Sequence, residues 1–241
     1  MSETKNLVLS TKRMLYAHMY GTICIGKGYL STLAKGLFKD AIEVISTGGL
    51  TREALTDAAF NKKYGPTVAR GDLLPDDVMF RLFAERMSRI RNTAKDLKNL
   101  IVLIEGLGRN AKQIETEVGL GIMEPENSMA IMLNGTEKIC RRRFLDRLNR
   151  RPNGKRTDED LKTFTRRFKL HNKNWPKVHA RLLRTGIWMC QIDADRDIAQ
   201  EVFPDVQSHL SILTLYPRKA EQAPIHSPLP YTHMHEQRAY A

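Results

Sequence analysis

The chain has little sulfur chemistry and no long apolar run. Its three cysteines, Cys24, Cys140 and Cys190, are widely spaced and form no CxxC pair. That count and spacing argue against a disulfide framework. No stretch approaches the ~18–20 uninterrupted apolar residues of a transmembrane helix. The opening MSETKNLVLSTKR carries charge but no apolar h-region or cleavage site, so secretion is not expected. No internal repeat is visible. A cytoplasmic, reduced protein without membrane contact is the expectation.

What is present is an ordinary globular composition, 41% apolar and 27% charged over 241 residues. That is enough chain for one α/β domain, or two small ones, with a sizeable core. Lys plus Arg number 39 against 27 for Asp plus Glu, a formal charge of +12. Such an excess draws polyanions, namely nucleotides, nucleic acid or an anionic surface, or else simply coats a solvated exterior.

Nearly continuous apolar runs at 41–46, 99–106, 129–134 and 187–193, with a weaker one at 14–20, read as strands covered on both faces, hence a parallel sheet. Amphipathic stretches lie between them. Residues 28–39 place Leu30, Leu33 and Leu37 on one face with Ala34 beside them. Residues 75–91 open on Pro75 and two acids, a helix start, and repeat Val78, Leu82 and Met87. Residues 136–150 and 157–184 read as long basic helices. The alternation predicts a three-layer α/β/α domain with a five-stranded parallel sheet over 14–216. Residues 1–13 form an N-terminal extension. The tail, 217–241, holds Pro217, Pro224, Pro228 and Pro230 and reads as an extended arm. Its His226, His233 and His235 read as solvated, and Trp175 as a packing residue. The Arg141–Arg143 triplet reads as a solvated helix face or a nucleic-acid contact.

Gly21-Thr22-Ile23-Cys24-Ile25-Gly26-Lys27 fits GxxxxGK, between an apolar run and an amphipathic helix. Such a loop turns backbone N–H groups and a helix dipole toward phosphate oxygens, while the lysine bridges outer phosphates. Further along come Ser46-Thr47-Gly48-Gly49-Leu50-Thr51-Arg52, then Gly71-Asp72-Leu73-Leu74-Pro75-Asp76, then Glu105-Gly106-Leu107-Gly108-Arg109 with Gln113. Arg147-Leu148-Asn149-Arg150-Arg151 follows, then Gly154-Lys155-Arg156-Thr157-Asp158-Glu159, with Arg167 eleven residues after Arg156. In order and spacing these segments resemble the nucleoside monophosphate kinase family, most closely its adenylate kinase members with a short lid. The family pattern runs GxPGxGKGT, STGDxLR, GxLVPD, DGFPRxxxQ, then RLxxR…GRxDD…KRL. The resemblance spans roughly residues 14–195.

The resemblance implies reversible phosphoryl transfer from ATP to a nucleoside monophosphate, with Mg²⁺. Gly21, Gly26, Lys27, Gly28 and Tyr29 would surround the donor's phosphates, and Arg147 would stack on its base. Thr47, Gly48, Arg52 and Gly106 would hold the acceptor monophosphate, with the Leu73–Leu74 backbone beside its base. Arg109 would grip the acceptor phosphate, and Arg151, Arg156 and Arg167 would close onto the transferring group. Glu105 would stand at the metal. A helical insertion over 46–76 would cap the acceptor, and a lid over 148–157 would close on the donor. Thr47 and Gln113 match the family members that take AMP.

The chain also departs from the pattern. Cys24 stands where a glycine approaches phosphate, and Tyr29 replaces the small hydroxyl usual at the metal. Gly49 and Glu105 each replace an aspartate, and Leu107-Gly108 replaces Phe-Pro. Asn134 replaces a common acid, Ala194 a frequent glycine, and Tyr16 and His18 interrupt an apolar strand. These losses admit a second expectation, a weakly active or inactive relative. It would serve as a nucleotide-binding or assembly module, meeting a protein or nucleic acid through its basic surface or C-terminal arm.

Overall fold

Each strand follows from an apolar run and each helix from an apolar stripe. In the computed structural model, which describes residues 13–93, 99–150 and 160–215, five strands form one sheet. They are β1 (Arg13–Tyr20), β2 (Ile42–Ser46), β3 (Asn99–Glu105), β4 (Ser128–Asn134) and β5 (Trp188–Asp193). Their order is β2-β3-β1-β4-β5 and every pairing is parallel. In β3 every residue after Asn99 is buried, as two covered faces require.

The helices are α1 (Lys27–Phe38), α2 (Thr47–Ala54), α3 (Ala58–Ala69), α4 (Asp76–Thr93), α5 (Ala111–Gly119), α6 (Glu137–Asn149), α7 (Leu161–Leu183) and α8 (Phe203–Leu215). A π-helical turn, Ile198–Val202, leads into α8. On one face of the sheet, Leu30 and Ala34 of α1, Phe144 of α6 and Val206 and Leu210 of α8 pack against Ala17, Met19, Leu103 and Ile131. On the other face, Val78, Phe83 and Met87 of α4 pack on Tyr16 and Val102. Ile114 of α5 and Val178 and Leu182 of α7 pack on Ala130 and Met132. The result is the three-layer α/β/α sandwich. No helix among the described residues is long and apolar enough to cross a membrane.

Two helix faces differ from the sequence expectation. In α1 the inward stripe is Leu30, Ala34 and Phe38, a spacing of four, and Leu37 is 48% exposed. In α4 the buried residues are Val78, Met79, Phe83, Met87 and Ile90, with Leu82 at the margin.

The expected insertion consists of α2 and α3, capped by Ser46 and Asp57, whose side chains accept from Gly49 N–H and Phe60 N–H. Of the expected lid, 151–157 lies outside the described residues, as do the N-terminal extension up to residue 12, the tail 217–241 with its histidines, and Arg151 and Arg156.

His18 has a specific partner. Its Nδ1 lies 2.9 Å from Glu117 Oε2 of α5, and its Nε2 lies 2.7 Å from the Ile122 carbonyl, with both side chains buried. A carbonyl only accepts, so Nε2 carries a proton and Nδ1 meets the carboxyl group. Burial raises the Glu117 pKa, and His18 opposes the shift.

Candidate functional site

The order β2-β3-β1-β4-β5 sends the chain one way from β1 and the other way from β3, so a crevice opens beyond the C-terminal ends of the central strands. The loops after β1, β3 and β5 line it, together with α2, α6 and α7. The cleft measures about 1570 Å³. A single small-ligand site occupies roughly 300–1,000 Å³, so there is room for two nucleotide-sized molecules.

The loop after β1 is built by unusual backbone angles. Gly26 has φ +120° and caps α1, and Cys24 has φ +60°. Lys27 is the first residue of α1. Its ammonium donates to the Gly21 carbonyl at 2.5 Å and to the Thr22 carbonyl at 2.7 Å, drawing the loop into a ring. In the first turn of α1 the Tyr29 amide donates to the Gly26 carbonyl at 3.0 Å, and a helix start leaves the amides before it for an acceptor outside the helix. The Thr22 hydroxyl is buried without a hydrogen-bond partner, an orphan donor in the same loop. Burial first, and then the charge of Arg109, bring the Lys27 pKa down to about 8, with Glu105 pulling the other way.

Arg109 lies just beyond β3. Its Nε donates to the Gly106 carbonyl at 2.6 Å and its Nη2 to Thr47 Oγ1 at 3.4 Å. A side chain on Gly106, at φ +83°, would collide with both Thr47 and Arg109. One side of Arg109 is open to the cleft, yet crowding by protein and the charge of Arg167 lower its pKa to about 10. Arg167, on α7, donates from Nε to the Gly71 carbonyl at 3.3 Å. Lys27, Arg109 and Arg167 therefore converge on one volume, which suits an anion.

Glu105 ends β3 and is nearly buried, with Ser31 Oγ 3.5 Å from its Oε2. Among the described residues no three His, Cys, Asp or Glu side chains group as a metal site. One carboxylate beside a loop that could hold phosphate nevertheless suits Mg²⁺, which takes one or two protein oxygens and fills the rest with phosphate and water. Tyr29 is 53% exposed at the cleft margin, and Ser31 is the hydroxyl nearest Glu105 by the contacts of that carboxylate.

Of the residues expected at the site, Gly21, Gly26, Gly28, Thr47, Gly48, Arg52, Leu73, Gly106 and Arg147 also line the cleft. Leu74 and Gln113 do not. Leu74 packs into the core against α4. Gln113 is 3% exposed, its Nε2 donating to Asp76 Oδ1 at 2.6 Å and its Oε1 accepting from Arg109 N–H at 2.8 Å.

The sequence alone assigned no place at the site to four residues. Asp76 orients Gln113. Arg143 donates to the Ile25 carbonyl and the Arg196 carbonyl, each at 2.9 Å, tying the loop after β1 to the loop after β5. The arginine triplet is thus divided, with Arg141 and Arg142 exposed and Arg143 a strap. His171 and Asn174 of α7 line the cleft at four and seven residues beyond Arg167, a spacing that could have found them. No family model matches the chain, and no curated protein matches its sequence, which leaves its function to be drawn from the geometry of this cleft.

Proposed function

We propose that the protein transfers a phosphoryl group reversibly from ATP to a nucleoside monophosphate, with AMP the preferred acceptor. The observation that carries this reading is the convergence of Lys27, Arg109 and Arg167 beside the loop from Gly21 to Gly26, in a cleft with room for two nucleotides. Phosphoryl transfer asks little covalent chemistry of a protein. It asks for reactants held in line and for charge neutralised on the moving group.

In this reading the loop amides and Lys27 hold the donor phosphates. Thr47, Gly48, Arg52 and Arg109 hold the acceptor phosphate, and Arg167 reaches the group in transit. Arg151 and Arg156 would add to that clamp from the lid. Mg²⁺ held by Glu105 would supply further charge neutralisation on the phosphates. Adenine is assigned on Thr47 and Gln113. Of these two, Thr47 lines the cleft, whereas the Gln113 amide is buried and bonded to Asp76 and the Arg109 N–H, so its part in this reading is to hold the loop that carries Arg109. We place the protein in the cytoplasm, where ATP is at hand and the thiols stay reduced.

Tyr29 and Cys24 favour a second reading, a nucleotide-binding or assembly module without turnover. The first puts a bulky phenol where a small hydroxyl is wanted, and the second puts a side chain in the phosphate loop. A coupled assay of ATP with each monophosphate separates the two. Transfer to AMP is expected, about 10²–10³-fold slower in Lys27→Ala, the scale of a lost transition-state donor, and faster in Tyr29→Thr. Absence of transfer in the wild type, unrestored by Tyr29→Thr with Cys24→Gly, leaves the binding module.

A further inference from the structure

One face of α7 turns Arg167, His171 and Asn174 toward the cleft. Asn174 Nδ2 donates to the Arg109 carbonyl at 3.2 Å, which seats this face against the loop carrying Arg109. The His171 ring stacks on the Trp175 indole, with centroids 5.4 Å apart and planes 22° from parallel. Trp175 rests in turn on the Tyr20 ring at 6.0 Å. The imidazole is therefore backed by a fixed aromatic wall. The charged groups that act on it are Lys27 from α1 and Arg109 from the loop after β3, both positive. Burial first, and then these two charges, bring its pKa down to about 4.

A neutral imidazole set among cations is unusual in one respect: its state depends on what else enters. A phosphate chain brings several negative charges to the same volume and reverses the local potential. We propose that His171 joins Lys27, Arg109 and Arg167 as a ligand of the bound phosphate chain, and that it takes one proton from solvent as the chain binds. The proton goes onto a ring nitrogen, and the imidazolium then donates to a phosphate oxygen. No other bond changes. This rests on the reading of the cleft as a site for nucleotide phosphates, but it concerns the polyphosphate alone and is independent of base and of turnover.

Calorimetry with inorganic tripolyphosphate at pH 6.5, in two buffers of different ionisation enthalpy, counts the protons exchanged on binding. Lys27 is already charged at that pH. The wild type should take up close to one proton more than His171→Gln, which retains hydrogen-bonding capacity but cannot carry the charge. Its affinity should also exceed the variant's by about tenfold, the scale of a charge-assisted hydrogen bond. The gap should widen toward pH 5.5 and close toward pH 8. Equal proton counts and equal affinities overturn the proposal while leaving the proposed function standing. A wild type that binds no tripolyphosphate overturns both. Should the variant fail to fold, the His171 ring can be titrated by NMR in the wild type. Its pKa must rise when tripolyphosphate is added, and a midpoint that stays in place overturns the proposal.

Discussion

Cys24 holds a left-handed backbone at φ +60° without being glycine. A side chain in that region costs roughly 1–2 kcal/mol. Cys24→Gly is therefore expected to stabilise the fold by about 1 kcal/mol, after the entropy that glycine gives back to the unfolded chain. Urea denaturation followed by circular dichroism checks it, and an unchanged or lower midpoint would show that the thiol's packing outweighs the strain. Lys27 yields a second prediction. Its pKa falls from 10.5 in the unfolded chain to about 8 in the fold. The folded state thus binds fewer protons between these values, and this group's contribution to stability, full above about 10.5, diminishes as pH drops toward 8. Anion binding has the opposite slope, because it needs the ammonium. ADP affinity should weaken as pH rises through 8 in the wild type and hold steady in Lys27→Arg. Parallel pH profiles for the two proteins would remove Lys27 from the phosphate site.

At the scale of elements, the His18–Glu117 contact ties the central strand β1 to α5, and α5 follows the loop that carries Arg109. Loss of the carboxyl in Glu117→Ala leaves a buried imidazole nitrogen without a partner, at a cost of about 1–3 kcal/mol. Glu117→Gln can still donate to Nδ1. Because burial raises the Glu117 pKa, its contribution is full below the ordinary carboxylate range and is lost as pH rises through the raised value. The wild type should therefore lose melting temperature relative to Glu117→Gln between pH 5 and pH 8. A constant difference across that range would show that Glu117 does not titrate there.

At the scale of the molecule, the insertion and α7 are already joined. Arg166 pairs with Asp72 at 2.5 Å, and Arg167 bonds the adjacent Gly71 carbonyl. The Arg166 pair is half-exposed and worth little by itself. Its consequence is geometric, since whatever shifts the segment after α3 also shifts the start of α7. A ligand that fills both halves of the cleft, two adenosines joined by a polyphosphate, should therefore protect residues 160–168 from hydrogen exchange more than ADP does. Equal protection by both ligands would mean that the two halves act separately.

Local pattern alone determined the five strands, the long helices, the loop from Gly21 to Gly26 and the candidacy of Lys27, Arg109 and Arg167. Apolar period reports which elements are covered, and a glycine-flanked turn reports backbone geometry; both are properties of neighbours in sequence. Contacts between distant segments were decided by the tertiary structure. Nothing near His18 reveals that Glu117 and the Ile122 carbonyl await it. Nothing near Gln113 shows that Asp76 takes one end of its amide. Arg143 reads as one more charge on a basic helix until the Ile25 and Arg196 carbonyls are brought within its reach. His171 reads as one more polar residue on α7 until the sheet sets Lys27 and Arg109 opposite it. A side chain's charge state and partners depend on the field of the groups around it. Only the packing of layers brings those groups together.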